Sequence, residues 1–107
     1  MAAGDVVIQS DTGRQLRANR IVSGTVQLDG ANPTPVALGS YFRQVKGGVV
    51  SLQGSVAPGL DPTTVSAAVS GTTLNVYAWK PTGSGDATLI ASTDNARLVH
   101  WTAWGIP

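Results

Sequence analysis

The stretch TTVSAAVSGTTLNVYAWK, residues 63–80, alternates apolar and polar side chains with a period of two. A period of two places successive side chains on opposite faces of a β-strand, whereas a helix repeats its apolar residues at three and four. The pair Ser70-Gly71 interrupts the alternation, as a tight turn between antiparallel strands does. These residues therefore predict a β-hairpin. Its predicted inward side chains on the first strand are Val65, Ala67 and Val69.

Other segments repeat this pattern of short alternating runs separated by turn residues. RIVSGTVQLDG, residues 20–30, places Val22, Val26 and Leu28 on one face of a predicted strand. GGVVSLQGSVAPG, residues 47–59, predicts another strand, with Gly54 at a bulge or a close backbone approach. DVVIQ and YFRQV give weaker strand patterns.

Near the C-terminus, ATLIAST and ARLVHWTAW predict a final antiparallel pair around the turn dipeptide Asp94-Asn95. The count of short strands is then six to eight, with turn signals roughly every 8–12 residues. The predicted fold class is all-β, a small antiparallel β-sandwich or barrel in a single domain.

Composition supports a β-domain and excludes two other classes. The chain has no glutamate and two lysines, but twenty serines and threonines, so strong helix formers are scarce. Hydrophobic residues make up 42% of the 107 residues and charge is sparse, which is the reverse of a disordered sequence. We divide the chain into a polar N-terminal arm or loop region, residues 1–20, and a β-domain, residues 21–107. Within the first region, SDTGRQLRANR suits a loop, a short helix, or an arm that orders on a partner.

Charge and hydropathy exclude several partners. The net charge of +1 is too small for a protein that neutralises many phosphates, so we expect no nucleic-acid partner. No apolar run approaches the roughly 20 residues of a membrane span. The start MAAGDVVIQS lacks the basic and apolar regions of a signal peptide.

The sequence has few residues that could form a catalytic or metal site. The single histidine is His100, there is no cysteine, and the six acids are all aspartates, five of them beside turn-forming or small polar residues. One histidine cannot assemble a zinc site, and no acidic loop of the EF-hand kind occurs. A calcium site formed by the loop aspartates Asp61, Asp86 and Asp94 stays an open alternative. We expect no enzyme and no cofactor, and a small hydrolase centred on His100 is the class with the least support.

Aromatic residues concentrate in the last third of the chain. Tyr77 and Trp79 share one face of a predicted strand, while Trp101 and Trp104 lie on opposite faces of the last one. Each ring buries roughly 150–250 Å², and three or four of them left on a surface exceed the patch that monomers usually expose. We therefore predict an interface for a homo-oligomer or another partner at Tyr77, Trp79, Trp101 and Trp104. The alternative is that they fill the core, as a tryptophan between two sheets often does.

Together GTVQLDGANPTPVAL, GSVAPGLDPTTVSAAVSGTTLNVYAWKPTGSGDATLIAST and the tryptophan-bearing tail resemble small β-rich virion proteins of tailed bacteriophages. Head decoration, or cement, proteins are the members that the chain resembles most. The resemblance extends from about residue 20 onward and rests on phrases such as NVYAWKPT rather than on a diagnostic motif.

This resemblance implies a structural protein that binds the assembled capsid lattice and stabilises it by bridging subunits. Its implied partners are the major capsid protein and further copies of itself, with a trimer favoured. The implied location is the virion surface, after synthesis in the host cytoplasm. Residues 1–20 resemble the arms that some such proteins lay on the shell, which makes Arg14, Arg17 and Arg20 candidate lattice contacts. A glycan-binding module of a phage fibre or cell-surface protein, with Trp79 or Trp101 as the sugar platform, is the alternative function.

Overall fold

The computed structural model describes residues 3–13, 19–52, 64–83 and 86–107, and these residues form an all-β domain. Within those ranges the chain has strands, turns and loops but no helix. The strands are β1 (Val6–Asp11), β2 (Arg20–Gln27), β3 (Thr34–Ala37), β4 (Gln44–Leu52), β5 (Thr64–Ser70), β6 (Thr73–Gly83), β7 (Asp86–Ala91) and β8 (Leu98–Ile106).

Two antiparallel sheets make up the domain. Sheet A has the order β1-β2-β8-β4, and sheet B has the order β3-β6-β5. β7 pairs with the far half of β6, residues 79–83, beyond the part that pairs with β3. The two sheets confirm the sandwich, and β5 and β6 form the predicted hairpin with Gly71 at a positive φ of 61° in its turn.

The prediction that β7 and β8 pair with each other is wrong. β7 pairs with β6 in sheet B, while β8 lies between β2 and β4 in sheet A. The intervening turn, in which Asp94 Oδ1 accepts hydrogen bonds from the amides of Ala96 and Arg97, carries the chain from one sheet to the other. β8 takes a central position because its buried residues Val99, Trp101 and Ala103 need neighbouring strands on both sides.

The core lies between the two sheets and consists mainly of aliphatic side chains at alternate strand positions. Sheet A contributes Val22 and Val26 from β2, and sheet B contributes Leu74 and Val76 from β6. All four are fully buried, and Leu28, predicted to share their face, is 1% exposed. The period of two thus located the core face of both central strands.

Aspartates hold the turns, as the sequence predicts for them. Asp29 Oδ1 accepts hydrogen bonds from the Ala31 amide at 2.9 Å and from the Thr34 hydroxyl at 2.9 Å. Asn32 acts in a similar way across the sheet, because its Oδ1 accepts a 2.9 Å hydrogen bond from the amide of Ala78 on β6. These loop residues therefore have structural partners already.

The structure changes the interpretation of the N-terminal region. Residues 6–11 are β1, an edge strand of sheet A, so this part of the predicted arm belongs to the sandwich. The weak strand pattern at DVVIQ is thereby confirmed, whereas the YFRQV pattern becomes a strand only from Gln44 onward. Several predictions fall outside the described residues: the bulge at Gly54, the aspartate at 61, and the arginines Arg14 and Arg17.

Arg20 has several partners within the chain, while its role as a lattice contact stays a prediction. Its Nε and Nη2 donate to the two carboxylate oxygens of Asp11 at 2.8 and 2.7 Å. Its Nη1 donates to the carbonyl oxygen of Tyr41 at 3.0 Å, and its Cζ lies 5.3 Å from the centre of the Tyr41 ring. The side chain joins the end of β1 to the loop before β4, and only 15% of it is exposed. Three of the five N–H donors of the guanidinium therefore have partners within the chain.

The Asp11–Arg20 pair predicts a pH dependence of stability. The hydrogen bonds from Arg20, helped by one from the Gly13 amide, lower the pKa of Asp11 from 3.8 to about 2. The unfolded chain therefore takes up this proton at a higher pH than the folded chain does. The stabilisation is complete above the unfolded value and is lost as the pH falls through about 2.

We expect Asp11→Asn to have a lower melting temperature than the wild type at pH 5, and the difference to shrink between pH 4 and 2. Thermal unfolding followed by circular dichroism over this range measures it, at low salt because the pair is partly exposed and screened. Other aspartates titrate in both proteins, so the difference isolates Asp11. A constant difference at all pH values would show that the ion pair does not couple folding to this proton.

Candidate functional site

The described residues contain no obvious catalytic or metal centre. No group of three or more His, Asp or Glu side chains in the described ranges could hold a metal ion. His100 lies on β8 between Thr25 of β2 and Ser51 of β4, and no carboxylate occupies either paired position. Among the described residues no helix is long and apolar enough to cross a membrane.

One open cavity of about 350 Å³ lies beside the loop before β4. The residues that line it are Gly39, Ser40, Tyr41, Phe42, Arg43 and Pro107. This lining has a guanidinium, a phenol and a hydroxyl but neither a carboxylate nor an imidazole, so it lacks the acid–base pair that hydrolysis uses.

Trp101 lies in the core, which corrects its prediction as an interface residue. It is 1% exposed and is the largest fully buried side chain in the described part of the chain. Its neighbours across sheet A are Gly24 on β2 and Val50 on β4. The Nε1–H finds no acceptor among the described residues. Trp101 therefore cannot contact a partner or a sugar.

Trp104 lies on the opposite side of β8, on the solvent-facing surface of sheet A, and is partly buried. The indole covers Gly47 of β4, where an added Cβ would come within 2.7 Å of Trp104 Cζ2. The glycine thus lets the ring lie against the backbone of the edge strand. Beside Trp104 on the other flank is Ile21 of β2, which is 45% exposed.

We call this surface the outer face of sheet A. The register places on it Val7 and Ser10 of β1, Ile21, Ser23, Thr25 and Gln27 of β2, Gln44, Gly47, Val49 and Ser51 of β4, and Leu98, His100, Thr102, Trp104 and Ile106 of β8. None of these paired residues is Asp, Lys or Arg. Val49 is 57% exposed and Val7 is 43% exposed. The face therefore combines exposed aliphatic groups with short polar side chains.

Tyr77 and Trp79 lie on the solvent-facing surface of sheet B. The alternation along β6 is as predicted, with Leu74, Val76 and Ala78 buried and the two aromatic side chains partly exposed. Their rings are nearly parallel, with centroids 6.0 Å apart and an angle of 12° between the planes. Trp79 Nε1 donates a 2.9 Å hydrogen bond to the hydroxyl of Ser66 on β5. We call this pair the Tyr77–Trp79 ridge.

The structure therefore divides the predicted aromatic patch into three parts. Trp101 is internal, Trp104 belongs to the outer face of sheet A, and the Tyr77–Trp79 ridge lies on the far side of the sandwich. Sequence reasoning missed the aliphatic members Ile21 and Val49. A signal was present, because each stands directly beside another apolar residue in IV and VV, and adjacent apolar residues on a strand point to opposite faces.

Comparison with known protein families, with curated proteins and with solved structures found no match to this chain.

Proposed function

We propose that this chain is a structural module that assembles with other polypeptides through the outer face of sheet A. The observation that carries the proposal is the outer face of a four-stranded sheet, with exposed Ile21 and Val49, a tryptophan, and no charge among the paired residues of that face. One exposed cation, Lys46, lies beside it in the bulge of β4. Soluble monomers rarely expose a contiguous apolar patch of more than a few hundred Å². Charged residues are depleted in the centre of protein interfaces, which matches this face.

The size of the face suits a second copy of the chain. A strand of eight residues, the length of β2, spans about 26 Å, and four strands side by side span about 19 Å. The flat projection is therefore about 500 Å², of the same order as the roughly 800 Å² per partner of a standard interface. A self-complementary contact between two such faces needs no further partner, because a symmetric dimer buries the same surface twice. A cyclic trimer would instead pair one part of the face with a different surface of the neighbouring copy, because its contacts are heterologous.

The specific role that we propose is decoration of a virus capsid, in keeping with the resemblance to phage cement proteins. A protein that binds only the assembled lattice stabilises it by mass action. An oligomer with several lattice contacts gains avidity without any single strong contact. The proposed partners are thus the major capsid protein and further copies of this chain, and the proposed location is the virion surface.

A second candidate function, glycan binding, is favoured by one observation: the Tyr77–Trp79 ridge lies on the side of the sandwich away from the outer face of sheet A. Of the four aromatic residues predicted to form the interface, Trp104 alone lies on the surface that we assign to assembly. The ridge has surroundings that suit a different ligand, and we treat it separately below.

Co-sedimentation with capsid shells assembled without this protein tests the decoration role. We expect the wild type to pellet with the shells and to raise the temperature at which they break. Val49→Lys, which places a charge in the assembly face, is expected to bind at least 10-fold more weakly, because a protomer without its oligomer loses avidity. Val69→Lys is the matched control, because Val69 lies on β5, the edge strand of sheet B. It was predicted to face inward, but at this edge it is 39% exposed. Shells that leave both wild type and control in the supernatant would contradict the role.

A further inference from the structure

The Tyr77–Trp79 ridge has the features of a ligand site on a face that the assembly role does not use. We propose that it binds a neutral oligosaccharide, with the two rings as the platform for the sugar rings. This proposal does not rest on self-assembly, because a monomer carries the same ridge. In an oligomer built on the outer face of sheet A, the ridge points away from the contact and stays accessible.

The two rings are held in place before any ligand arrives. Their planes differ by 12°, and the Trp79 indole is tied to Ser66 Oγ by its 2.9 Å hydrogen bond. They follow each other at alternate positions of β6, which is paired there with β5. A platform on a paired strand loses little conformational entropy on binding, unlike one on a loop. The rings stack on each other, so each presents to a ligand the face turned away from its neighbour, in a fixed orientation.

Small neighbours leave the ridge open from above. Trp79 is flanked by Thr64 on β5 and Ala91 on β7, and Tyr77 has Ser66 beside it. None of these side chains is long enough to cover a ring. The apolar CH face of a pyranose ring can therefore lie against either aromatic ring, in the way that flat apolar groups pack on aromatic side chains.

Polar groups for sugar hydroxyls lie next to the rings. The Asn75 carboxamide shares the outward face of β6 with the ridge, and neither it nor the Tyr77 hydroxyl makes a hydrogen bond to the rest of the described chain. An amide supplies two donors and an acceptor, and a phenol supplies one of each. Such a group selects among ligands, because a ligand that displaces its bound water must offer hydrogen bonds in place of those to the water.

The charge of the surroundings selects among ligand classes. The residues that flank the ridge and Asn75 across the sheet are Pro35, Thr64, Ser66, Ala68 and Ala91, and none is charged. A phosphorylated or sulfated ligand would find no cation there, whereas the oxygen-rich rim of a neutral sugar meets short hydroxyl and amide groups. Among the described residues that flank the ridge across the sheet, the short uncharged groups therefore suit a neutral saccharide.

Titration with four defined hexasaccharides tests the proposal: β-1,4-linked glucose, α-1,4-linked glucose, β-1,4-linked N-acetylglucosamine and α-1,6-linked mannose. Binding is measured by isothermal calorimetry and by the change in tryptophan emission. We expect at least one probe to bind with a Kd of about 0.1–10 mM, as befits an open platform. Trp79→Ala should weaken that binding at least 10-fold, and Asn75→Ala should weaken it about 3-fold while leaving both rings in place. A sulfated form of the same probe should bind no more tightly.

Trp104→Ala is the matched control, because Trp104 is a partly buried tryptophan on the other sheet. It should change the affinity less than 2-fold. The proposal is overturned if none of the four probes binds below 10 mM, or if Trp79→Ala binds as well as the wild type. It is equally overturned if Trp79→Ala leaves sugar binding intact and lowers the oligomeric mass, since the ridge is then a protein interface. Failure here leaves the proposed assembly role untouched, because that role is measured at Val49.

Discussion

Trp101→Ala is expected to lower the free energy of unfolding by about 3–5 kcal/mol, as the loss of a large core aromatic does. The side chain is 1% exposed and is the largest fully buried one in the described chain. The indole belongs to the core between the two sheets, so the cavity left by its removal can close only if the sheets move together. Domains of this size have about 5–15 kcal/mol in total. Denaturation in urea, followed by circular dichroism, measures the loss, and we expect a large share of the free energy of unfolding to disappear.

Trp101→Phe separates the packing of the indole from its polar group. Phenylalanine removes a buried Nε1–H that has no acceptor among the described residues, and it leaves a smaller cavity. We therefore expect this variant to lose about 1–2 kcal/mol, much less than Trp101→Ala. A loss below 1 kcal/mol for Trp101→Ala would contradict the buried position, and would return this tryptophan to the surface where the sequence analysis placed it.

Much of the fold could be predicted from the sequence because alternation reports directly on burial. Val22, Val26 and Leu28 were assigned to one face, and all are in the core. The hairpin of β5 and β6 was also predicted, because its turn residues and both strands are contiguous in the sequence. Local information of this kind is sufficient wherever one face of a strand is buried and the other is solvated.

Strand order could not be obtained in the same way. β7 and β8 are adjacent in sequence and are separated by a good turn at Asp94, yet they belong to different sheets. Both a hairpin and a crossover between sheets satisfy the local pattern. The observed arrangement places β8 between β2 and β4 with one of its faces buried. Whether a strand can be buried in this way depends on the packing of the whole sandwich, which the local pattern does not contain.

The candidate site was predicted in part. Trp104, Tyr77 and Trp79 are partly exposed, whereas Trp101 is internal. Alternation alone could have separated them, since Trp101 shares the parity of Val99 and Ala103, both fully buried. Fewer aromatic side chains are therefore left at the surface for an interface than the composition suggests. In its place the structure shows an aliphatic component, Ile21 and Val49, around Trp104.

Val49→Lys is expected to abolish self-association, with a loss of affinity of at least 100-fold. Val49 is 57% exposed on the edge strand β4, and the register places it beside Thr102 of β8 on the outer face of sheet A. In the free protomer the lysine ammonium stays in water, so the fold is little affected. In the assembled state the same charge would lie against another face whose paired residues include no carboxylate, and burying an unpaired charge is strongly unfavourable.

Light scattering coupled to size exclusion tests the central claim most directly, because it gives the mass of each variant in solution. The wild type and Val69→Lys are predicted to elute at a common multiple of the 10.9 kDa chain, and Val49→Lys at 10.9 kDa. All three should show the same thermal unfolding curve at the lowest protein concentration. A wild type that elutes as a monomer at every concentration up to the millimolar range would contradict assembly through this face.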